Sequence, residues 1–268
     1  MSTIELGETP FWYDDVGEGP PIVFLHGGFL DSTSWRPQVE RFREDHRIVT
    51  FDVRGHGRTG KTDQRRYTVP GFADDLHDLL TAIDVERPVI CGLSLGSMIA
   101  QTYAARYPIR GLALAGALKT MPPVPLPTTY KRAASPTGGL ATTLALTGQR
   151  ATFELLLSGI RAVEGHPWLA IDEEVRERAL ETVSEISRSE YVKTFDALYR
   201  FSPPEIETDA PAALIYGEYE ASAVKAQSER LADALDASLT SISDAGHLVN
   251  ADAPEAFNDV VDDLLARV

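Results

Sequence analysis

The sequence predicts an α/β fold, in which a mostly parallel sheet carries helices on both faces and a helical cap is inserted in the second half. Three observations lead to this fold. Apolar runs alternate with amphipathic stretches up to about residue 115, the alternation returns at residue 212, and the region between favours helices alone. Alternating strands and helices are typical of a parallel sheet that is covered on both faces.

The elements of the two outer regions follow from the period of their apolar residues. Before residue 116, strands are predicted at residues 10–16, 21–25, 47–51, 88–91 and 109–115, and helices at residues 69–83 and 95–105. After residue 211, strands are predicted at residues 212–216 and 238–242, and helices at residues 223–235 and 254–267.

A proline-rich stretch at residues 120–127 interrupts this alternation. Proline cannot continue a helix or pair inside a central strand. From there to about residue 204 the pattern favours four helices, at residues 139–147, 150–159, 172–187 and 189–201. We therefore predict a core formed by residues 1–119 and 206–268, with residues 120–205 as the inserted cap.

Length and composition favour one domain with an insertion, because 268 residues, of which 43% are hydrophobic, can bury one sizeable core. The sequence has no run of about 18 apolar residues and no secretory pattern at its start, so we expect a cytoplasmic protein without a membrane partner. The single cysteine, Cys91, ends a predicted core strand and is expected to be a buried small residue rather than a nucleophile.

The formal charge of −15 argues against nucleic acid and anionic membranes as partners, because both would be repelled. A small-molecule substrate is the expected partner. The cationic residues are mostly arginine, with only five lysines among 25, and acidic residues crowd the predicted helix surfaces. This bias is similar to that of halophilic proteins, although an ordinary acidic cytosolic protein also fits it.

The segment Gly92-Leu93-Ser94-Leu95-Gly96 follows the apolar run at residues 88–91 and precedes a predicted helix. A serine between two glycines in this position is typical of a sharp strand-to-helix turn that exposes a nucleophile. Glycine has no Cβ to collide where the chain reverses, and the N-terminus of the helix favours negative charge. The pattern predicts Ser94 as the catalytic nucleophile.

A serine nucleophile needs a general base, and that base needs a carboxylate to orient it. His247 follows the last predicted strand directly and is the best placed of the six histidines. Glu220 lies in the loop after the strand at residues 212–216 and is our choice for the acid, with Glu218 as its rival.

An oxyanion hole needs two backbone N–H groups directed at the developing charge. Leu95 supplies one by its position after Ser94. The second is expected from the glycine-containing loop His26-Gly27-Gly28-Phe29, with Gly28 as first choice and Phe29 as second. His26 is then expected to be structural and to bond within its own loop.

Five segments spread along the chain together resemble those of α/β-hydrolases. They are His26-Gly27-Gly28, Asp52-Val53-Arg54-Gly55-His56-Gly57, Gly92-Leu93-Ser94-Leu95-Gly96, Tyr216-Gly217-Glu218 and Ala245-Gly246-His247. The resemblance implies an eight-stranded sheet and an acyl-enzyme formed on Ser94, with His247 as base and then acid. One departure is Glu220, where the family usually has aspartate. The resemblance gives Asp52, Arg54 and His56 a structural role.

Within this family, residues 91–101 look most like those of carboxylesterases and enol-lactonases, including 3-oxoadipate enol-lactonases, with cofactor-free haloperoxidases nearby. We therefore expect hydrolysis of a small ester or lactone. A carbon–carbon bond hydrolase of the same fold and a ligand-binding sensor with slow turnover are the alternatives. No metal-ligand spacing or phosphate loop is found in the sequence, so no cofactor is expected.

Substrate selection is expected to depend on the cap and on aromatic side chains at the mouth of the site. The candidates are Phe29, Trp35, Tyr130, Trp168 and Tyr199, although several could simply pack the cap onto the core. Three acidic residues, Asp63, Asp74 and Asp75, are expected to be solvated surface charges.

If the acidic surface is a halophilic adaptation, salt should stabilise the protein. The charges repel one another less as the Debye length falls from about 10 Å in 0.1 M salt to about 3 Å in 1 M salt. We expect the Tm to rise by several degrees between low salt and molar KCl, as measured by circular dichroism. An unchanged Tm would favour an ordinary acidic protein.

Overall fold

The computed structural model describes residues 2–7, 9–121 and 136–268, and these form one eight-stranded sheet with helices on both faces. The strands are β1 (Ser2–Leu6), β2 (Thr9–Val16), β3 (Pro21–Leu25), β4 (Arg47–Phe51), β5 (Val89–Leu93), β6 (Gly111–Ala115), β7 (Ala212–Gly217) and β8 (Ser238–Ile242). Their order across the sheet is β1-β2-β4-β3-β5-β6-β7-β8, and only the pairings of β2 with β1 and β4 are antiparallel. The predicted fold class is confirmed.

Nine α-helices lie in the described part of the chain. They are α1 (Arg36–Phe42), α2 (Val69–Ala82), α3 (Leu95–Ala104), α4 (Thr137–Glu164), α5 (Glu173–Glu185), α6 (Arg188–Tyr199), α7 (Ser222–Leu235), α8 (Val249–Asp252) and α9 (Pro254–Leu265). None of the helices in these ranges is long and apolar enough to cross a lipid bilayer.

Three elements were not predicted, namely β1, α1 and the four-residue helix α8, and all three carry weak sequence signals. The edge strand β1 is mostly exposed along its length, and its apolar face consists of Ile4 and Leu6 alone. Helix α1 has only seven residues and follows a short 3₁₀ turn at Ser32–Trp35, which leaves too few turns to show a helical period.

The insertion between β6 and β7 contains α4, α5 and α6 in its described part. Helix α4 is interrupted at Gly148, whose φ of 82° and ψ of 176° are not helical. The helices predicted at residues 139–147 and 150–159 therefore lie on either side of this break. The proline-rich stretch at residues 122–127 lies outside the described residues, and the predicted cap boundaries stay a prediction.

Two groups of contacts fasten the insertion to the core. On α6, the buried carboxylate of Glu190 accepts hydrogen bonds from Tyr67 and Lys193, and Lys193 Nζ also donates to Thr62 O at 3.1 Å. Before α5, the backbone N–H groups of Ile171 and Asp172 donate to the carboxylate of Asp252 at 2.9 and 3.1 Å.

The turn between β5 and α3 depends on two glycines that allow close backbone approach. A Cβ on Gly96 would lie 2.0 Å from Leu25 O, and one on Gly92 would lie 2.3 Å from Gly96 O. Both distances are far inside van der Waals contact, and the opposing atoms are backbone carbonyls that cannot rotate away. The helix therefore packs directly on the end of β3.

We expect Gly96→Ala to lower the free energy of unfolding by about 3 kcal/mol or more, because the backbone must shift to admit the methyl group. The matched control is Gly159→Ala on α4, where a Cβ would meet nothing within 4 Å. That substitution should instead stabilise the protein by about 0.5–1 kcal/mol. Urea unfolding of both variants measures the difference, and equal effects would contradict the assigned packing.

Candidate active site

Ser94 lies at the tip of the turn between β5 and α3, in a backbone conformation that is rare for a residue with a side chain. Its φ is 53° and its ψ is −110°. Three hydrogen bonds hold this conformation: Ser94 N donates to Ala115 O at 2.9 Å, and Ser94 O accepts from Met98 N at 3.1 Å and from Ser97 Oγ at 2.7 Å. Such strain persists only where the surroundings impose it, and it is concentrated at functional sites.

His247 and Glu220 form a buried pair. The Nδ1 atom of His247 lies 2.6 Å from Glu220 Oε2, and the residues are only 4% and 1% exposed. Because Nδ1 faces a carboxylate oxygen, it carries the ring proton, and Nε2 is left as the acceptor. The other carboxylate oxygen of Glu220 accepts from Ala221 N at 2.9 Å and from Trp168 Nε1 at 2.5 Å.

Glu218, the alternative acid, lies elsewhere. Its side chain is exposed, and Oε2 accepts a hydrogen bond from Asp244 N at 3.2 Å. The structure therefore brings Glu220, and not Glu218, to the imidazole.

Ser94 and His247 both contact the two-residue segment Ala115–Gly116, at the end of β6. Ala115 O accepts the hydrogen bond of Ser94 N, and a Cβ on Gly116 would lie 2.8 Å from His247 Cε1. Within the described ranges, no hydrogen bond joins Ser94 Oγ to the imidazole. Catalytic hydrogen bonds are often long without substrate and tighten in its presence.

The loop expected to complete an oxyanion hole lies beside Leu95. The N–H of Leu95 is the first in α3 and has no acceptor within the helix. A Cβ on Gly28 would lie 3.6 Å from the Leu95 Cβ, and Phe29 has a positive φ of 67°. The loop turns back through a bond from Leu30 N to Gly27 O. Both predicted second donors, Gly28 and Phe29, belong to this turn.

His26 holds this loop against β4. Its Nε2 accepts from Val53 N at 3.0 Å, so Nδ1 carries the proton and donates to Gly27 O at 2.8 Å. The predicted bond within the loop is present, and the bond to Val53 was not expected.

Burial, together with the nearby His26, lowers the pKa of His56 to about 3, which keeps His56 neutral.

The turn after β4 is held by hydrogen bonds to Asp52 and by one ion pair with α2. Asp52 accepts from the backbone N–H groups of Ser32 and Arg58 at 2.9 and 2.8 Å. Arg54 donates to both carboxylate oxygens of Asp75, at 3.0 and 2.5 Å. The expectation that Asp75 is a solvated surface charge is wrong, because Asp75 is a buried ion-pair partner.

The aromatic candidates take different positions. Phe29 stacks on Tyr191 of α6 with centroids 4.2 Å apart and meets Phe153 of α4 at 5.9 Å. The prediction that Trp35 lines the site is wrong. Trp35 is fully buried in the core against Phe24 and Phe257, so its apolar surface is already used.

The remaining aromatic candidates are Trp168, Tyr199 and Tyr130. Trp168 stacks on the His247 ring at 4.4 Å, so it contacts the candidate base itself. Tyr199 is largely buried on α6, and Tyr130 lies outside the described residues.

Sequence reasoning missed Tyr191, Phe153 and Asp252. The two aromatic residues lie on predicted cap helices, where helical spacing alone does not separate a residue above the site from one that packs the helices. No local sequence pattern marks Asp252 either. Its carboxylate nevertheless accepts a hydrogen bond from Gly246 N, at 2.7 Å, in the loop that carries His247. No group of three or more candidate metal ligands occurs in the described part of the chain.

Comparison with known proteins gives one family over most of the chain. The model of the family described as "Alpha/beta hydrolase family" matches residues 22–260. A putative non-heme chloroperoxidase of Synechocystis sp. is 34% identical over 118 residues, and 3-oxoadipate enol-lactonase 1 of Acinetobacter baylyi is 35% identical over 81 residues. These segments are 44% and 30% of this chain, and they span only 42% and 30% of the two relatives.

Similar solved structures cover nearly the whole chain. The enol-lactonase from Burkholderia xenovorans LB400 superposes with a TM-score of 0.80 at 23% identity, covering 99% of this chain and 100% of that one. A thermophilic esterase from Thermogutta terrifontis also gives 0.80, at 20% identity, covering 97% and 94%. At these identities the similarity shows a shared fold.

The bond between His247 and Glu220 can be tested without any substrate. A ring proton held between Nδ1 and a buried carboxylate is shielded from exchange and should give a far-downfield proton NMR resonance. We expect Glu220→Gln to remove or strongly shift this resonance and Glu218→Gln, the matched control, to leave it in place. A resonance that follows Glu218 instead would contradict the geometry.

Proposed function

Since the chain belongs to the alpha/beta hydrolase family, we propose that it hydrolyses a small carboxylic ester or lactone through an acyl-enzyme formed on Ser94. The observation that carries this proposal is the buried Glu220–His247 pair at 2.6 Å, packed on the backbone step that also holds the strained Ser94 turn. A nucleophile, a base and an orienting acid in the chain order serine, acid, histidine suit acyl transfer.

In the first half of the reaction, His247 Nε2 takes the hydroxyl proton as Ser94 Oγ bonds to the substrate carbonyl carbon. The carbonyl electron pair moves onto oxygen, where the N–H of Leu95 and that of Gly28 or Phe29 stabilise the negative charge. Glu220 remains ionised and stabilises the imidazolium through Nδ1–H. When the tetrahedral intermediate collapses, the carbon–oxygen bond to the leaving group breaks and His247 returns its proton to the alcohol.

In the second half, water takes the place of the leaving alcohol. His247 removes a proton from the water as its oxygen bonds to the acyl carbon, and the second tetrahedral intermediate expels Ser94 Oγ, which regains the proton. For a lactone the alcohol stays attached to the acyl group, so the product is one hydroxy acid. Each step uses groups of this chain and water alone.

The names of the relatives support an ester or lactone as substrate. The matched proteins include a 3-oxoadipate enol-lactonase and a protein named putative carbamate hydrolase, and the structural neighbours include an esterase and an enol-lactonase. The contacts of the site agree with a small apolar acyl group, because Phe29, Tyr191 and Phe153 form an aromatic cluster next to the oxyanion loop. A small-molecule ester or lactone and a cytoplasmic location are parts of the same proposal.

The test is hydrolysis of p-nitrophenyl acetate, p-nitrophenyl butyrate and a simple γ-lactone by the wild type and by Ser94→Ala. We expect the substitution to lower kcat by about 10³-fold or more, because no other group can form the acyl-enzyme. Ser228→Ala is the matched control, since Ser228 is a buried serine on α7 whose hydroxyl donates to Ala117 O and takes no part in the proposed reaction. A fluorophosphonate should label Ser94 in the wild type, as detected by mass spectrometry.

Undiminished hydrolysis in a folded Ser94→Ala variant would overturn the mechanism. A folded wild type that is inactive on all three substrates would overturn the ester or lactone assignment. In that event, turnover of a coloured dienoate would indicate carbon–carbon bond hydrolysis, and stabilisation by a ligand without turnover would indicate a sensor.

A further inference from the structure

Trp168 contacts both members of the acid–histidine pair, although it belongs to the insertion. It lies in the loop between α4 and α5, 52 residues before Glu220. Its indole Nε1–H donates to Glu220 Oε1 at 2.5 Å, and its ring stacks on His247 with centroids 4.4 Å apart and planes inclined by 30°. One side chain therefore fixes the carboxylate by a hydrogen bond and the imidazole by its face.

The hydrogen bond acts on a buried charge. Glu220 is 1% exposed, and its carboxylate accepts from His247, Ala221 and Trp168. Leaving a buried ionised acceptor without one of its donors is unfavourable, because water cannot replace the lost bond. The indole N–H is neutral, so it stabilises the carboxylate without competing with the imidazolium as a second cation would.

The backbone around Trp168 is fixed to the loop that carries His247. Trp168 O accepts from His247 N, and Leu169 O accepts from Leu248 N, both at 2.8 Å. A Cβ on Gly246 would lie 2.5 Å from Trp168 O, so the two loops touch backbone to backbone. The indole is therefore held in register with the imidazole by bonds that do not involve its own side chain.

We propose that Trp168 is a positioning residue, through which the insertion holds Glu220 and His247 in their working geometry. This inference rests on the proposed function, since it assigns Trp168 a part in the same reaction. The acid–histidine pair is complete only when the loop between α4 and α5 is seated on the His247 loop. Trp168 exchanges no proton and forms no bond with the substrate in the proposed mechanism, so it acts through Glu220 and His247.

Other titratable groups in the segments around His247 contact partners other than the imidazole. They are Asp252, which accepts from Gly246 N, Ile171 N and Asp172 N; Glu218, which accepts from Asp244 N; His166, which packs on Tyr219; and Glu164, which accepts from Ser222. Glu220 is thus the carboxylate through which a change at Trp168 reaches the imidazole.

The kinetic test compares Trp168→Phe with Trp12→Phe. The first keeps an aromatic ring on His247 and removes only the indole N–H. The second makes the same replacement at a half-buried tryptophan on β2, where Arg58 stacks on the ring far from Ser94 in the sheet order. Both variants are assayed with p-nitrophenyl butyrate over a range of pH after their folding is checked by circular dichroism.

We expect Trp168→Phe to lower kcat by about tenfold or more, with little change in KM, since a hydrogen bond to a buried charge is lost. The acid limb of the kcat profile should move up by about half a pH unit or more. Without the indole donor the carboxylate of Glu220 is less stabilised by hydrogen bonds, so it attracts the proton on the imidazole more strongly. Trp12→Phe should match the wild type, and a wild-type profile for Trp168→Phe would overturn the proposal.

A second measurement needs no substrate and no variant of Trp168. A protonated imidazole quenches the fluorescence of an indole stacked on it, so tryptophan emission of the wild type should titrate with His247. This titration should disappear in His247→Gln. Identical pH dependence of emission in the two proteins would overturn the contact. If Ser94→Ala abolishes hydrolysis while Trp168→Phe behaves as wild type, the proposed function stands and this inference fails.

Discussion

The site depends first on the absence of side chains at two positions around Ser94. Gly96 packs its Cα against the carbonyl of Leu25, and Gly92 packs against Gly96, so α3 begins directly on the end of β3. This approach forces the chain to reverse within one residue, which puts Ser94 at a positive φ. His26 follows Leu25 directly, and hydrogen bonds of both its ring nitrogens, with Gly27 and Val53, hold the loop at residues 26–29. The positions of Ser94, the N-terminus of α3 and the neighbouring loop at residues 26–29 thus depend on one steric constraint.

A second layer of order comes from the contacts that fasten the insertion to the core. Glu190 is buried between α6 and the segment around Tyr67, where it is satisfied by a hydroxyl and an ammonium group. The carboxylate of Asp252 accepts three backbone N–H groups from two loops. Buried carboxylates with full sets of donors fix orientation strongly, because a shifted arrangement leaves a charge unpaired. The insertion is therefore attached to the core by hydrogen-bonded buried carboxylates as well as by apolar contacts.

Much of the fold was predictable because its signals are local. Strands at residues 21–25 and 47–51 and the helix after Ser94 follow from runs and periods of apolar residues, and the structure has them at β3, β4 and α3. Ser94 and His247 were chosen as candidates from their positions after strands, and the structure has both next to the segment Ala115–Gly116. The contacts of Trp168 with Glu220 were not, because they join residues 52 positions apart through a loop without a periodic pattern. Trp35 was misplaced for a related reason: an aromatic residue in a loop gives no sign of whether it packs inward.

The backbone bonds from His247 and Leu248 to Trp168 and Leu169 bear on how proteins of this design can be recombined. Because the insertion lies between two strands, it could be regarded as a segment that can be exchanged between relatives without changing the core. Here the loop between α4 and α5 of such an insertion is hydrogen-bonded backbone to backbone to the loop that carries His247. A chimera that exchanges the helices must keep the host's residues 166–172 together with its Asp252, or import both partners from the donor.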